Sequence, residues 1–155
     1  MIIIKNLRKR LLLKNICDMN VFLDTNILID FLSKRNDYQD ALNILRLSVL
    51  TDTKLFVSDL TIANCRYILR KDYPLEKFYD SISRLRNFIN ISQMGPHAVD
   101  RALKLRANDF EDALQYFSAI QSGADCIVTR NVNDFAFSEI EVLTPSDFLA
   151  NYCPK

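Results

Sequence analysis

The chain has 155 residues, of which 49% are hydrophobic and 25% are charged, and its formal net charge is +1. This length suits one domain with a sizeable core, and any basic surface for nucleic acid must be local, because the net charge is close to zero. With only two glycines and four prolines, an all-β or disordered chain is disfavoured.

The first eighteen residues differ in character from the rest. Apolar clusters at residues 2–4 and 11–13 flank a basic stretch. They are too short for a membrane span, which needs about 20 residues, and no small-residue cleavage site follows them. Met19 immediately precedes the first predicted strand. We expect residues 1–18 to be a translated leader or a loosely attached segment, Met19 to be the natural start, and residues 19–155 to form one domain.

Strands and helices alternate along the remaining chain. Short apolar runs predict strands, and apolar residues at a 3.6-residue period predict helices. Ser58 suits the N-cap of the third helix, and Gly123 suits the stop after the sixth. This order predicts a parallel sheet with right-handed crossovers. The predicted strands lie at residues 21–23, 55–57, 89–91, 125–129 and 141–143, and the helices at 26–32, 41–50, 59–71, 74–88, 96–108 and 110–121 and from Pro145 onward.

Asp24 directly follows the first predicted strand, and Thr25 and Asn26 open the next helix. Ligands of open α/β sheets bind at the carboxyl ends of the strands, so this carboxylate is placed for catalysis or metal binding. The alternative is an ordinary N-cap for the helix.

The third predicted helix places one amide among apolar side chains. An amide buried without a partner costs about 1–3 kcal/mol by mutational estimates. We therefore expect Asn64 to contact a polar side chain, a water or a metal-linked network. Helical spacing predicts that the side chains sharing its face are Leu60, Ala63, Tyr67 and Ile68.

The predicted helix over residues 110–121 carries carboxylates at the edge of its packed side. Glu111 is predicted to point outward with Gln115 and Ser118. A further polar cluster, residues 129–135, follows the late strand. Since parallel strands end at one edge of the sheet, three separated segments offer oxygen ligands at one place. The predicted inner face of the helix comprises Asp109, Asp112, Ala113, Tyr116, Phe117 and Ile120.

Four stretches together resemble the PIN domain family: Asp24-Thr25-Asn26 after an apolar strand, SDLTIANCRYIL, DFEDALQYFSAI and GADCIVTRNVNDF. The resemblance covers residues 20 to about 149, and its specificity lies in the order of the motifs. It implies a three-layer α/β/α domain with a mainly parallel, short-stranded sheet. It also implies a divalent-metal ribonuclease site and kinship to VapC-type toxins of toxin–antitoxin pairs.

The resemblance also assigns roles to single residues. Asp24 matches the first acidic residue of the family and Asp112 the third, whereas Asn64 and Asn131 stand where two further acids are usual. Asp24 and Asp112 suffice to hold one Mg²⁺ or Mn²⁺ ion that keeps several waters. Asn64 and Asn131 would then orient its waters. The residues expected to support the metal or contact substrate are Thr25, Asn26, Ser58, Asp109, Thr129, Arg130 and Asp134.

The resulting hypothesis is a cytoplasmic endoribonuclease that cleaves RNA and acts as the toxin of a toxin–antitoxin pair. Its expected partners are RNA and an antitoxin protein, with a homodimer as one assembly. No membrane association is expected. The two asparagines motivate an alternative, a catalytically weakened or inactive PIN-like module that binds RNA or a protein. A third hypothesis is a phosphatase-type enzyme in which Asp24 attacks covalently; Asn26 then stands where a second aspartate is usual. Cys65 and Cys126 are expected to be buried thiols of a reducing compartment rather than zinc ligands.

Overall fold

The computed structural model describes residues 18–35 and 37–152 of the chain. The predicted leader therefore lies outside the described residues, apart from Asp18. Within the described part, no helix has the length and apolar character needed to cross a membrane.

Five strands and seven α-helices alternate along the described residues, as the sequence predicted. The strands are β1 (Asn20–Leu23), β2 (Lys54–Ser58), β3 (Ile89–Ser92), β4 (Cys126–Val128) and β5 (Glu141–Leu143). The helices are α1 (Thr25–Ser33), α2 (Tyr38–Leu50), α3 (Asp59–Leu69), α4 (Leu75–Leu85), α5 (Pro96–Leu105), α6 (Phe110–Gln121) and α7 (Pro145–Tyr152), with a 3-10 helix at Val132–Phe135.

The strands form one parallel sheet in the order β3-β2-β1-β4-β5. The order runs outward from β1 to β3 on one side, and to β4 and β5 on the other. In doubly wound sheets such a switch point opens a crevice beyond the carboxyl ends of the two strands that flank it. In this chain those strands are β1, at the centre of the sheet, and β4, where Phe22 pairs with Ile127.

Helices cover both faces of the sheet, which gives the predicted three-layer α/β/α fold. Alternate side chains of a strand point to opposite faces, so Val21 and Leu23 of β1 lie on one side and Phe22 on the other. Val21 and Leu23 pack with apolar residues of α1, α2, α3, α4 and α7. Phe22 packs with residues of α5, α6 and the 3-10 helix. The core is therefore two slabs separated by the sheet.

Several helix ends follow their predicted signals. The Ser58 hydroxyl caps α3 by accepting the Thr61 backbone N–H at 3.0 Å. Gly123, at φ 69°, ends α6. Its N–H reaches the Ile120 carbonyl, and the Ala124 N–H reaches the Ala119 carbonyl. These two bonds form the Schellman arrangement, which needs a left-handed residue that glycine adopts without steric cost.

Other details of the predicted elements were wrong. Helix α5 ends at Leu105 and not near Asn108, because Arg106 adopts a left-handed conformation at φ 52°. Val49 and Leu50 are 64% and 76% exposed, although their spacing continued the apolar face of α2. That helix turns away from the core before it ends.

The predicted inner face of α3 was also wrong. Tyr67 and Ile68 are 66% and 47% exposed, and Ala63 is exposed too. The buried positions are Thr61, Cys65 and Leu69. Thr61 is buried because other hydroxyl and amide groups meet it, which an apolar periodicity does not register. As predicted, Cys65 and Cys126 are buried free thiols.

Candidate active site

Asp24 lies at the crevice between β1 and β4, the two strands that flank the switch point. It directly follows β1, and its backbone N–H donates to the Val128 carbonyl of β4 at 3.0 Å. Its side chain is only 7% exposed. The carboxylate thus lies at the floor of the crevice, between the ends of β1 and β4.

Three hydrogen bonds hold the Asp24 carboxylate. Oδ1 accepts the Thr25 backbone N–H at 2.6 Å, which caps α1. Oδ2 accepts the Thr129 hydroxyl and the Asn26 amide, each at 2.7 Å. A carboxylate offers about four lone-pair sites, so these bonds leave room for one further ligand.

The electrostatics of Asp24 show competing effects. Burial raises its pKa above the ordinary value, and hydrogen bonds from Thr129 and Thr25 act in the opposite direction. The nearby Asp134 carboxylate raises the pKa further, and the Arg130 charge lowers it. Because burial dominates, the ionised form would gain from a cation bound at this position.

Asp112 and its acidic neighbours form the wall on one side of Asp24. Partial burial, then the charges of Asp109 and Asp24, raise the pKa of Asp112 to about 7. Asp109 caps α6, since its Oδ1 accepts the backbone N–H groups of Glu111 and Asp112 at 2.7 and 3.2 Å. Asp109, Asp112 and Asp134 line a cavity of about 170 Å³ together with Asn108, Asn133, Ala136 and Phe137.

Asn64 and Glu111 meet on the other side. Glu111 is exposed, in line with its predicted outward position, but its carboxylate contacts Asn64. The Asn64 amide donates to Glu111 Oε1 at 2.5 Å. Partial burial first, then the charge of Asp24, raise the pKa of Glu111. The predicted polar partner of Asn64 is therefore present, and it is the carboxylate of Glu111, which the sequence analysis did not pair with Asn64.

Gln115, also predicted to face outward, is completely buried beneath the site. Its amide donates to the hydroxyls of Thr25 and Thr61, both at 3.1 Å, and its carbonyl accepts the Ser58 hydroxyl at 2.7 Å. Thr25 and Ser58 thus take part in this buried network. The sequence analysis expected them to support the metal or contact substrate, but their hydroxyls point to Gln115 beneath the crevice. Ser118, the third residue predicted to face outward, is buried as well.

The remaining predicted site residues lie around the end of β4. Asn26 accepts the Arg130 backbone N–H at 3.2 Å, and the Asn131 N–H donates to the Thr129 hydroxyl at 3.1 Å. Arg130 Nε lies 3.3 Å from an oxygen of Asp30, which is completely buried in α1. The Arg130 side chain therefore anchors the strand end to α1, a contact that the sequence analysis did not predict.

A family model described as a PIN domain matches residues 20–133. The chain belongs to the PIN domain family. The predicted family and fold are thereby confirmed, and a nuclease function is supported at the level of the family. No protein with a curated description matches the sequence.

Solved structures share the fold of this PIN domain over most of its length. VapBC-1 of Haemophilus influenzae is 20% identical with a TM-score of 0.64, covering 83% of this chain and 99% of its own. A toxin–antitoxin complex from Klebsiella pneumoniae is 25% identical with a TM-score of 0.62, covering 81% and 97%. VapC20 of Mycobacterium tuberculosis, a sarcin-ricin loop cleaving toxin, is 14% identical with a TM-score of 0.56, covering 69% of this chain and 86% of its own.

PIN domain nucleases generally use divalent metals, and the donor set of this PIN domain fits such an ion. The crevice offers carboxylate, amide and hydroxyl oxygens, the ligands that Mg²⁺ and Mn²⁺ prefer. Among residues 18–35 and 37–152, no three His, Cys, Asp or Glu side chains converge closely enough to hold a metal by themselves. Mg²⁺ typically binds one or two carboxylates and keeps several waters, so the arrangement suits a partly hydrated ion.

Proposed function

We propose that this PIN domain is a divalent-metal-dependent endoribonuclease and the toxin of a toxin–antitoxin pair. One observation carries the proposal. A nearly buried, fully oriented Asp24 stands at the sheet's switch point, with its charge coupled to those of Asp112 and Asp134. Repelling carboxylates at a ligand-binding crevice gain from a bound cation.

The side chains divide the work of such a site. Asp24 and Asp112 would hold the ion, which when bound activates a water and stabilises charge on the phosphate. Thr129 and Asn26 fix the orientation of the Asp24 carboxylate through their hydrogen bonds to Oδ2. Arg130, Asn131 and Asp134 lie at the adjoining end of β4. Asn131 and Asp134 would orient waters there, and the exposed part of the Arg130 side chain would contact the RNA backbone. Phosphate contacts of this kind position RNA without reading its sequence.

The test is cleavage of a panel of structured RNAs by purified protein in Mg²⁺, Mn²⁺ or EDTA. Cleavage should require metal and fall at least about 100-fold in Asp24→Asn and Asp112→Asn, since each substitution removes a charge from the metal site. Asp80→Asn is the matched control, because Asp80 is exposed on α4. Equal activity of Asp24→Asn and the control would contradict the nuclease.

The toxin role is supported by the neighbours, which include toxin–antitoxin complexes. Induced expression in bacteria should arrest growth, and the product of the adjacent reading frame should relieve the arrest and co-purify with the protein. Asp24→Asn should leave growth normal. RNA binding without cleavage at any metal concentration, unchanged in both site variants, would instead identify a binding module.

A further inference from the structure

The contact between Asn64 and Glu111 joins α3 to the start of α6 beside the crevice. The Asn64 amide donates to Glu111 Oε1 at 2.5 Å, so one oxygen of the carboxylate is fixed. An amide cannot ligate Mg²⁺ as strongly as a carboxylate does, because it carries no net charge. The negative charge at this side of the site therefore comes from Glu111.

The orientation of α6 accounts for this placement. Residues four apart lie on one face of a helix, so Glu111 shares its face with Gln115. Gln115 is completely buried against the hydroxyls of Thr25, Ser58 and Thr61. These contacts fix the rotation of α6 so that the face carrying Glu111 turns toward the ends of β1 and β2.

The contacts of Gln115 also place Glu111 near Asp24. Gln115 donates to the hydroxyl of Thr25, the residue that directly follows Asp24, and Glu111 lies one helical turn from Gln115. The raised pKa values of Glu111 and Asp112 agree with this placement, since the charge of Asp24 contributes to both. Asp24 is thus flanked by a carboxylate on each side: Glu111 toward α3, and Asp112 toward the 3-10 helix. Asn64, which carries no charge, donates to Glu111.

We propose that Glu111 supplies a metal-ligating carboxylate from α6, and that Asn64 positions it. This inference rests on the proposed metal-dependent function. In this arrangement α6 contributes two consecutive acids to the centre, and α3 contributes a neutral donor that orients one of them. Glu111 then supplies from α6 the negative charge that the amide of Asn64 on α3 does not carry.

Binding of Mn²⁺ alone, measured by calorimetry and electron paramagnetic resonance, provides a readout that does not depend on RNA cleavage. Glu111→Gln should weaken Mn²⁺ binding at least about tenfold, the usual range for residues that ligate or orient ligands. Glu76→Gln should bind like the wild type. Glu76 is the matched control because it is also the second residue of its helix and is exposed.

The exchange variant Asn64→Glu/Glu111→Gln tests the pairing directly. The carboxylate and amide then trade helices across one contact, and Mn²⁺ affinity should return to within about threefold of the wild type. Asn64→Glu alone places two carboxylates in contact, and should lower the free energy of unfolding in EDTA because like charges repel.

The failure of this inference is distinguishable from failure of the proposed function. If the wild type binds Mn²⁺ in a manner that depends on Asp24, and Glu111→Gln matches Glu76→Gln, only the role of Glu111 is overturned. An exchange variant no better than Glu111→Gln overturns the pairing with Asn64. A wild type that neither binds Mn²⁺ nor cleaves RNA overturns the proposed function itself, and this inference with it.

Discussion

Replacement of Gln115 by Met should destabilise the fold far more than its polar character suggests. The substitution keeps a side chain of similar length but removes the acceptor of the Ser58 hydroxyl and the donors to Thr25 and Thr61. All four residues are buried, so water cannot replace the lost bonds. Gln115→Met therefore tests the hydrogen bonds of residue 115 alone, because the volume of the side chain changes little.

The magnitude follows from the bonds that remain. The Ser58 hydroxyl still accepts the Thr61 N–H at 3.0 Å and keeps a 3.1 Å contact with the Thr61 hydroxyl, but it loses its 2.7 Å acceptor. The Thr25 hydroxyl retains only a weak 3.4 Å contact with Thr61. Each buried group left unsatisfied costs about 1–3 kcal/mol. Because Met carries no amide to bury, part of this cost is offset, and we expect a net loss of stability of about 3 kcal/mol. For a domain of this length that loss lowers Tm by roughly 6–12 °C.

Equilibrium urea unfolding followed by circular dichroism measures the loss. Gln121→Met is the matched control: Gln121 is exposed at the end of the same helix, and its variant should unfold within about 0.5 kcal/mol of the wild type. Adding Ser58→Ala to Gln115→Met should cost less than the sum of the single losses, since the partner is already absent. A Gln115→Met protein as stable as the Gln121→Met protein would refute this account of the network.

Three other substitutions test single residues outside this network. Since the pKa of Asp112 is raised to about 7, the folded protein keeps a proton that the unfolded chain has released. Its free energy of unfolding in EDTA should fall as the pH rises from about 4 to 7, and Asp112→Asn should flatten this fall and be more stable than the wild type at pH 8. Arg130→Met should lower the free energy of unfolding by roughly 3 kcal/mol, because it removes the charged partner of a buried carboxylate. Gly123→Ala should cost about 1 kcal/mol by urea unfolding, from its positive φ alone, since an added Cβ would approach only Asn20 Nδ2, at 3.8 Å.

Each of these expectations has a definite contrary result. Parallel pH profiles for the wild type and Asp112→Asn would show that Asp112 does not titrate near 7. A loss below 1 kcal/mol in Arg130→Met would mean that its ion pair contributes little to stability. Gly123→Ala as stable as the wild type would indicate that the Schellman turn adapts to a β-carbon.

The sequence predicted the order and approximate limits of the elements because their signals are local. Apolar runs marked all five described strands, and Ser58 and Gly123 marked helix ends. The errors fall where tertiary position decides. Val49 and Leu50 keep the period of α2 but extend beyond the core, and no local pattern reports where a neighbouring helix ends.

The site was harder to predict than the fold, and α6 shows why. This helix packs between the sheet and α5, so residues 113 and 115–119 are all buried. A helix buried on two sides has no single apolar face. The periodicity correctly placed Glu111 on the exposed side and Asp112 at the edge of the packed side, but it could not show that Gln115 and Ser118 are buried. Gln115 and Ser118 were taken for surface residues because they are polar, although Gln115 has three buried partners in three other segments of the chain.

Asp24 illustrates how one carboxylate can serve two functions that the sequence presented as alternatives. Oδ1 caps α1 through the Thr25 N–H, and Oδ2 is held by Thr129 and Asn26 from two different elements. Because the cap fixes one oxygen and the crevice fixes the other, the side chain has little rotational freedom left to lose when it binds an ion. Burial disfavours its charge in the absence of a cation, so orientation and electrostatics act in the same direction. Capping would therefore contribute to the proposed metal binding. Thr129→Val, which removes a donor to Oδ2, should weaken both the affinity for Mn²⁺ and the stability of the metal-bound protein.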